Sequence, residues 1–232
     1  MMSLGSLRMK PGGEPHSMTT SAHNAKQWDA FYASSQTRVP YTDAAVFALI
    51  ALSRNPDARV FEFGCGNGQN LGFLRSVFPS ARLSGCDVST EALIAGRRLY
   101  PDLDLFVSGD ALGLKPASLD VIIERATLQH IPKPLAARYV QEMYAALKPG
   151  GRAFFEVAST DHGYAARGDG SEDPVFGHRV FYALDELKTL FADFRIDQVY
   201  DRRRALVEGA ERNNGRPVYD EAAFQLYLTK PA

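Results

Sequence analysis

The sequence predicts an α/β fold, a mostly parallel sheet with helices on both faces, from three observations. A short apolar run from Val60 to Phe63 gives way to glycines at alternate positions, Gly64, Gly66 and Gly68, and then to a stretch with helical spacing. A second run, Ala81 to Asp87, ends in an acid and again leads into a helical stretch. The alternation continues through Leu103 to Val107, Leu119 to Glu124 and Arg152 to Val157.

Taken in order, each element has a local cause. Trp28, Phe31 and Tyr32 recur at helical spacing within Asn24 to Ser34, which predicts one aromatic face. That face reads as core packing. Thr42 to Ser53 is an Ala-rich helix that stops before Asn55-Pro56. Leu71, Leu74, Val77 and Phe78 give the helix after the glycines, which Pro79 ends. Thr90 to Tyr100 forms the next helix, with Ser89 as its cap. Leu135 to Leu147 carries Tyr139, Met143 and Leu147 on one stripe, and Lys148-Pro149-Gly150-Gly151 closes it. Ser159 to Val180, rich in Gly and Pro, reads as an irregular substrate lid. Phe181 to Phe194 restores helical spacing, and Ile196 to Tyr200 and Ala223 to Thr229 read as two late strands.

Composition narrows the function. The 232 residues carry 26 basic and 27 acidic side chains, a formal net charge of -1, which offers no electrostatic footprint for a nucleic-acid backbone or an anionic membrane. No apolar stretch approaches the roughly 20 residues that span a bilayer. The two cysteines, Cys65 and Cys86, fit neither a zinc site nor a disulfide framework and read as reduced thiols of a cytoplasmic protein. Residues 1–20 read as a flexible leader, and residues 21–232 as one domain binding a small molecule, as a monomer or homodimer.

The glycine turn is a ligand cradle. Glycine removes the Cβ atoms that hold a ligand off the backbone, and the first N–H groups of the following helix point at whatever sits there. The dinucleotide pattern Gly-x-Gly-x-x-Gly fails in both registers, because Gln69 and Leu71 stand where its third glycine belongs. The pattern present, Glu62-x-Gly64-x-Gly66-x-Gly68, resembles motif I of the class I S-adenosylmethionine (SAM) methyltransferases, of the small-molecule, type 11/25-like branch. Gly85-Cys86-Asp87-Val88-Ser89 resembles the second motif of that family. Leu128-Gln129-His130-Ile131 is similar to its Leu-x-His-Ile segment, and Leu147-Lys148-Pro149-Gly150-Gly151 to its architectural turn. The resemblance covers approximately Trp28 to Thr229 and implies a Rossmann-like seven-stranded sheet closed by an antiparallel last strand.

It also implies SAM as cofactor, with S-adenosylhomocysteine as product, and assigns candidate residues. Glu62, Gly64, Cys65, Gly66 and Gly68 line the cofactor turn. Asp87, nineteen positions after Gly68, suits the ribose hydroxyls because a carboxylate accepts two hydrogen bonds from a vicinal diol. Its other reading is a helix cap, a role for which Ser89 is better placed. Val88 follows it into the site. Asp110 and Ala111 fall where the family reads the adenine ring. Glu124 and Arg125, at the carboxyl end of a buried strand, face the reacting centre.

For the acceptor, the candidates are Trp28, Tyr32, His130, His162, Tyr164, His178 and Arg179. His130 reads as a general base or as a structural hydrogen-bonding residue, with Glu124 the second candidate base. Arg202, Arg203 and Arg204 read as a solvated polar stretch or as a source of one anion contact. The implied activity is methyl transfer to a small metabolite, on oxygen. Non-methylating SAM chemistry and a non-catalytic SAM-binding scaffold are the alternatives.

Overall fold

A computed structural model describes residues 19–34, 42–163, 165, 171–173, 177–204 and 221–232. Most of the expected leader, and Tyr164 with much of the expected lid, fall outside the described residues.

Two helices come first, α1 (Thr19–Ser34) and α2 (Thr42–Arg54). Then β1 (Arg59–Phe63), α3 (Gln69–Val77), β2 (Arg82–Asp87), α4 (Thr90–Leu99) and β3 (Asp104–Val107) alternate. The second half runs β4 (Leu119–Arg125), a short 3-10 turn (Leu128–His130), α5 (Lys133–Ala146) and β5 (Leu147–Ala158). A small hairpin, β6 (Ser171–Asp173) and β7 (Gly177–Arg179), precedes α6 (Leu184–Leu190), β8 (Arg195–Arg204) and β9 (Glu221–Thr229).

The seven-stranded sheet has the order β3-β2-β1-β4-β5-β9-β8. The first five strands pair in parallel, and β9 is antiparallel to both of its neighbours. The chain works outward from β1 to β3, then returns to the other side of β1 with β4. That reversal leaves a crevice at the carboxyl ends of β1 and β4, where open α/β sheets bind ligands.

Alternation along each strand supplies both faces of the core. Val60, Val121, Ile123 and Phe154 pack with Phe47, Leu52, Leu71, Leu74 and Leu93 of α2, α3 and α4. Phe61, Ile122 and Phe155 pack on the other face with Tyr139, Met143, Leu187 and Phe191. Runs read as continuously apolar are therefore strands buried on both sides.

Two expectations are corrected. The region between Ser159 and Val180 is not wholly irregular, because it contains the β6–β7 hairpin. Arg202, Arg203 and Arg204 are not in a connecting stretch. They stand on β8, paired in register with Ala223, Ala222 and Glu221 of β9.

Candidate active site

The glycine turn folds back on the end of β2. The backbone N–H groups of Gly64 and Cys65 both donate to the Cys86 carbonyl, each at 2.9 Å. Gly64, Gly66 and Gly68 have φ of +71°, +54° and +74°, a left-handed region that L side chains rarely adopt. Space excludes a side chain as well. A Cβ on Gly64 would lie 1.9 Å from Thr127 Oγ1, and one on Gly66 would lie 2.1 Å from Tyr32 Oη.

Asp87 closes this turn. Its Oδ2 accepts from the Gly66 N–H at 2.8 Å and its Oδ1 from the Ser89 N–H at 2.9 Å. Burial raises its pKa while those N–H groups oppose the rise. The Val88 N–H adds to them, and a carboxylate, with about four acceptor sites, still has room for a further donor.

A cavity of about 330 Å³ opens beyond Asp87. Trp28, Phe31 and Tyr32 of α1 form one wall, so the aromatic face predicted for this helix is a pocket wall. Trp28 meets the His130 ring edge-on, with centroids 5.3 Å apart. His130 Nδ1 lies 3.1 Å from the His178 carbonyl, which can only accept, so Nδ1 carries the proton. Nε2 then accepts from the Gln129 amide at 3.3 Å. Gln129 is itself fixed, its Oε1 accepting from the Ala158 N–H at 3.1 Å. Ala126, between β4 and this turn, lines the cavity with φ of 60°, a strained conformation for alanine of the kind that clusters at functional sites.

The cavity lining is also rich in guanidinium groups. Arg125, Arg179, Arg202 and Arg204 belong to it, against Asp87, Glu156 and Glu221 as carboxylates. Glu156 is 3% exposed and holds two of the cations, with its Oε1 at 3.2 Å from Arg125 Nε and 3.0 Å from Arg202 Nη2. Arg204 pairs with Glu221 at 3.3 Å. Arg179 Nη2 donates to His162 Nε2 at 3.3 Å. Burial, with the Arg179 charge beside it, pushes the His162 pKa down to about 4, so this imidazole is neutral at pH 7 and accepts.

The profile of the methyltransferase-domain family matches residues 60–151, which span the glycine turn, Asp87 and the His130 segment. Over those residues the chain is similar to the methyltransferase-domain family. A trans-aconitate 2-methyltransferase from Rhodopseudomonas palustris is 32% identical over 93 residues, 40% of this chain and 36% of the relative. Another from Escherichia coli is 30% identical over 154 residues, 60% of this chain and 59% of the relative. The matches thus span less than two thirds of either relative's length. Among solved structures, the N-methyltransferase NodS from Bradyrhizobium japonicum, in complex with S-adenosyl-L-homocysteine, superposes with a TM-score of 0.62 at 15% identity. That superposition covers 92% of this chain and 99% of NodS.

Set against the family's motifs, the cavity gathers Trp28, Tyr32, Gly64, Asp87, Val88, Arg125, His130, His162 and Arg179. Other expected residues stand behind its lining. Glu62 is 4% exposed and lies beneath the glycine turn, where its Oε1 accepts from Asn70 Nδ2 of α3 at 2.6 Å. Burial pushes its carboxyl up to about 8. The Cys65 side chain packs in the core beside Leu71, and burial raises its thiol pKa. Asp110 and Ala111 follow Gly109, whose carbonyl accepts from Tyr139 Oη at 2.8 Å, just outside the lining formed by Ser108 and Tyr139.

Glu124 and His178 are corrected more strongly. Glu124 is fully buried, and its Oε1 accepts from the N–H groups of Thr127 and Leu128, the latter at 3.1 Å. It holds the turn that carries His130 and does not face the cavity. His178 serves through its backbone carbonyl, and its side chain is not part of the lining. Sequence reasoning missed Gln129 as the partner of His130, and Glu156 as the acid between two arginines. Gln129 was legible within the Leu-x-His-Ile segment, whereas Glu156 looked like any strand residue.

Proposed function

We propose that the protein is a methyltransferase that moves the methyl group of SAM to a carboxylate oxygen of a small acidic metabolite. The observation that carries this reading is the cavity lining, where four guanidinium groups stand against three carboxylates, one of them the Asp87 assigned here to the cofactor. Guanidinium is the group best matched to a carboxylate, through charge-assisted paired hydrogen bonds. The two relatives, both trans-aconitate 2-methyltransferases, point to the same acceptor class.

The residues of the crevice fit the cofactor. Gly64 and Asp87 line the cavity side by side, and the Asp87 carboxylate, held by the Gly66 and Ser89 N–H groups, is the group suited to a ribose diol. When bound, SAM supplies an electrophilic methyl group on a sulfonium. The chain's own part is placement. Arg179 and its neighbours orient the acceptor, while Trp28, Phe31 and Tyr32 exclude water. Holding two reactants in near-attack geometry contributes on the order of 7–11 kcal/mol.

A carboxylate is already ionised at pH 7, so no proton has to leave and no general base is required. His130, with one nitrogen on the His178 carbonyl and the other on Gln129, then shapes the acceptor wall instead of accepting a proton.

The test is chemical. The protein is incubated with methyl-labelled SAM and a panel of small di- and tricarboxylic acids, and the products are treated with alkali. A methyl ester releases its label as volatile methanol. Label that survives alkali, or no transfer to any acid, contradicts the proposal.

A further inference from the structure

Asp29 stands on α1 between Trp28 and the turn that carries Tyr32, and it reaches the start of α4. Its Oδ1 accepts from Ser89 Oγ at 2.7 Å and from the Glu91 N–H at 3.1 Å. Ser89 Oγ in turn accepts from the Ala92 N–H at 3.1 Å, as the cap of α4. The Ser89 N–H donates to Asp87, and Asp87 accepts from Gly66. One chain of hydrogen bonds therefore runs from the cover helix, through the cap of α4 and the crevice carboxylate, to the glycine turn.

The same helix meets that turn again through Tyr32, whose hydroxyl lies over Gly66. At its other contact it touches the acceptor side. Trp28 packs on His130, and α1 packs against both α4 and β7, the strand that ends in Arg179.

We propose that Asp29 is a positioning residue that couples occupancy of the adenosyl crevice to closure of α1, so that the acceptor wall closes over a filled crevice. This rests on the cofactor reading given above. A ligand that fixes Asp87 also fixes Ser89, and with it the partner on which Asp29 hangs α1. Coupling of this kind is reciprocal, so a closed α1 slows release of the ligand. One oxygen, Oδ1, makes both contacts of Asp29. An asparagine amide oxygen in that place keeps the latch, and alanine removes it.

The experiment uses the full chain and S-adenosylhomocysteine as probe. Dissociation rates are measured by stopped flow, and amide hydrogen exchange is followed with and without the probe. In the wild type, binding adds protection to α1 and to 177–180. In Asp29→Ala the probe dissociates about tenfold faster and the added protection of α1 is lost, while the sheet amides are unchanged. Asp29→Asn stays within about threefold of wild type, as expected if one acceptor oxygen suffices.

Dissociation from Asp29→Ala at the wild-type rate overturns the inference, as does an Asp29→Asn variant as fast as the alanine. Should Asp29→Ala lose sheet protection as well, the wild type decides: added protection of α1 on binding supports the coupling, and its absence overturns it. A wild type that does not bind the probe removes the cofactor reading itself, a result distinct from both.

Discussion

Asp87→Asn is the most informative substitution in the crevice, because it keeps shape and removes one acceptor. Both carboxylate oxygens of Asp87 accept a backbone N–H, from Gly66 at 2.8 Å and from Ser89 at 2.9 Å. An amide has one acceptor oxygen, so in either orientation its NH2 group faces an N–H donor. A hydrogen bond to a charged group contributes about 1.5–3 kcal/mol, and a buried N–H left unsatisfied costs about 1–3 kcal/mol. Burial raises the Asp87 pKa, so removing the charge returns part of that loss. The balance is a destabilisation of about 1–3 kcal/mol, or a fall in Tm of about 3–10 °C for a chain of this size. Binding suffers more than folding, because the amide also meets a ribose diol with one acceptor where the carboxylate offers two. Affinity for S-adenosylhomocysteine falls about a hundredfold, the equivalent of one lost charge-assisted bond. Scanning calorimetry reads the first quantity and titration calorimetry the second. A variant that binds within threefold of wild type, with unchanged Tm, refutes the reasoning.

The remaining predictions concern the turn, the acceptor wall and pH. Gly64→Ala and Gly66→Ala both force alanine to a positive φ, at about 1–2 kcal/mol each, but their neighbours differ. Thr127 sits on the turn fixed by Glu124, so Gly64→Ala lowers Tm the more. Tyr32 rides on α1, so Gly66→Ala shows its larger effect in S-adenosylhomocysteine affinity. His130→Ala lowers kcat by less than about tenfold, whereas loss of a true base would cost about 10² to 10⁴-fold. Arg179→Leu raises KM for the acid acceptor about tenfold or more and leaves S-adenosylhomocysteine affinity unchanged. Steady-state kinetics separates the two roles, and a kcat collapse in His130→Ala restores the base.

Glu124 gives the pH prediction. Burial pushes its carboxyl up to about 8, far above the roughly 4.3 of an unfolded glutamate. Between those values the folded state keeps a proton that the unfolded chain has released. Its contribution is thus full below pH about 4.3 and declines as pH rises towards about 8. Glu124→Gln still accepts both backbone N–H groups through its amide oxygen but has no proton to lose. Urea melts from pH 5 to 9 show a shallower decline for the variant, with the Glu62 carboxyl, also pushed up to about 8, supplying part of what remains. Identical slopes contradict this account.

What the sequence made legible was local. The glycines at alternate positions, the acid at the end of β2 and the strand that turns into Leu-x-His-Ile each declare themselves within about ten residues. The family resemblance these motifs carry implied the sheet that the structure shows, including the antiparallel β9. What stayed hidden depends on which distant segments meet. Arg202 sits beside Glu156 because β9, antiparallel to both, lies between β8 and β5, and no spacing in the sequence announces that meeting. Asp29 acquires its partners only because α1 meets the start of α4, a contact that no local pattern announces. Glu124 misled for the opposite reason. An acid at the carboxyl end of a strand suggested the reacting centre, yet its side chain turns back to satisfy the N–H groups of the following turn.

The central claim is spatial, and one structure tests it most directly. In crystals grown with S-adenosylhomocysteine, the ribose hydroxyls lie within about 2.6–3.2 Å of the Asp87 carboxylate, and the sulfur faces the space between Trp28, His130 and Arg179. A nucleoside seated elsewhere, or a sulfur turned away from that space, contradicts it.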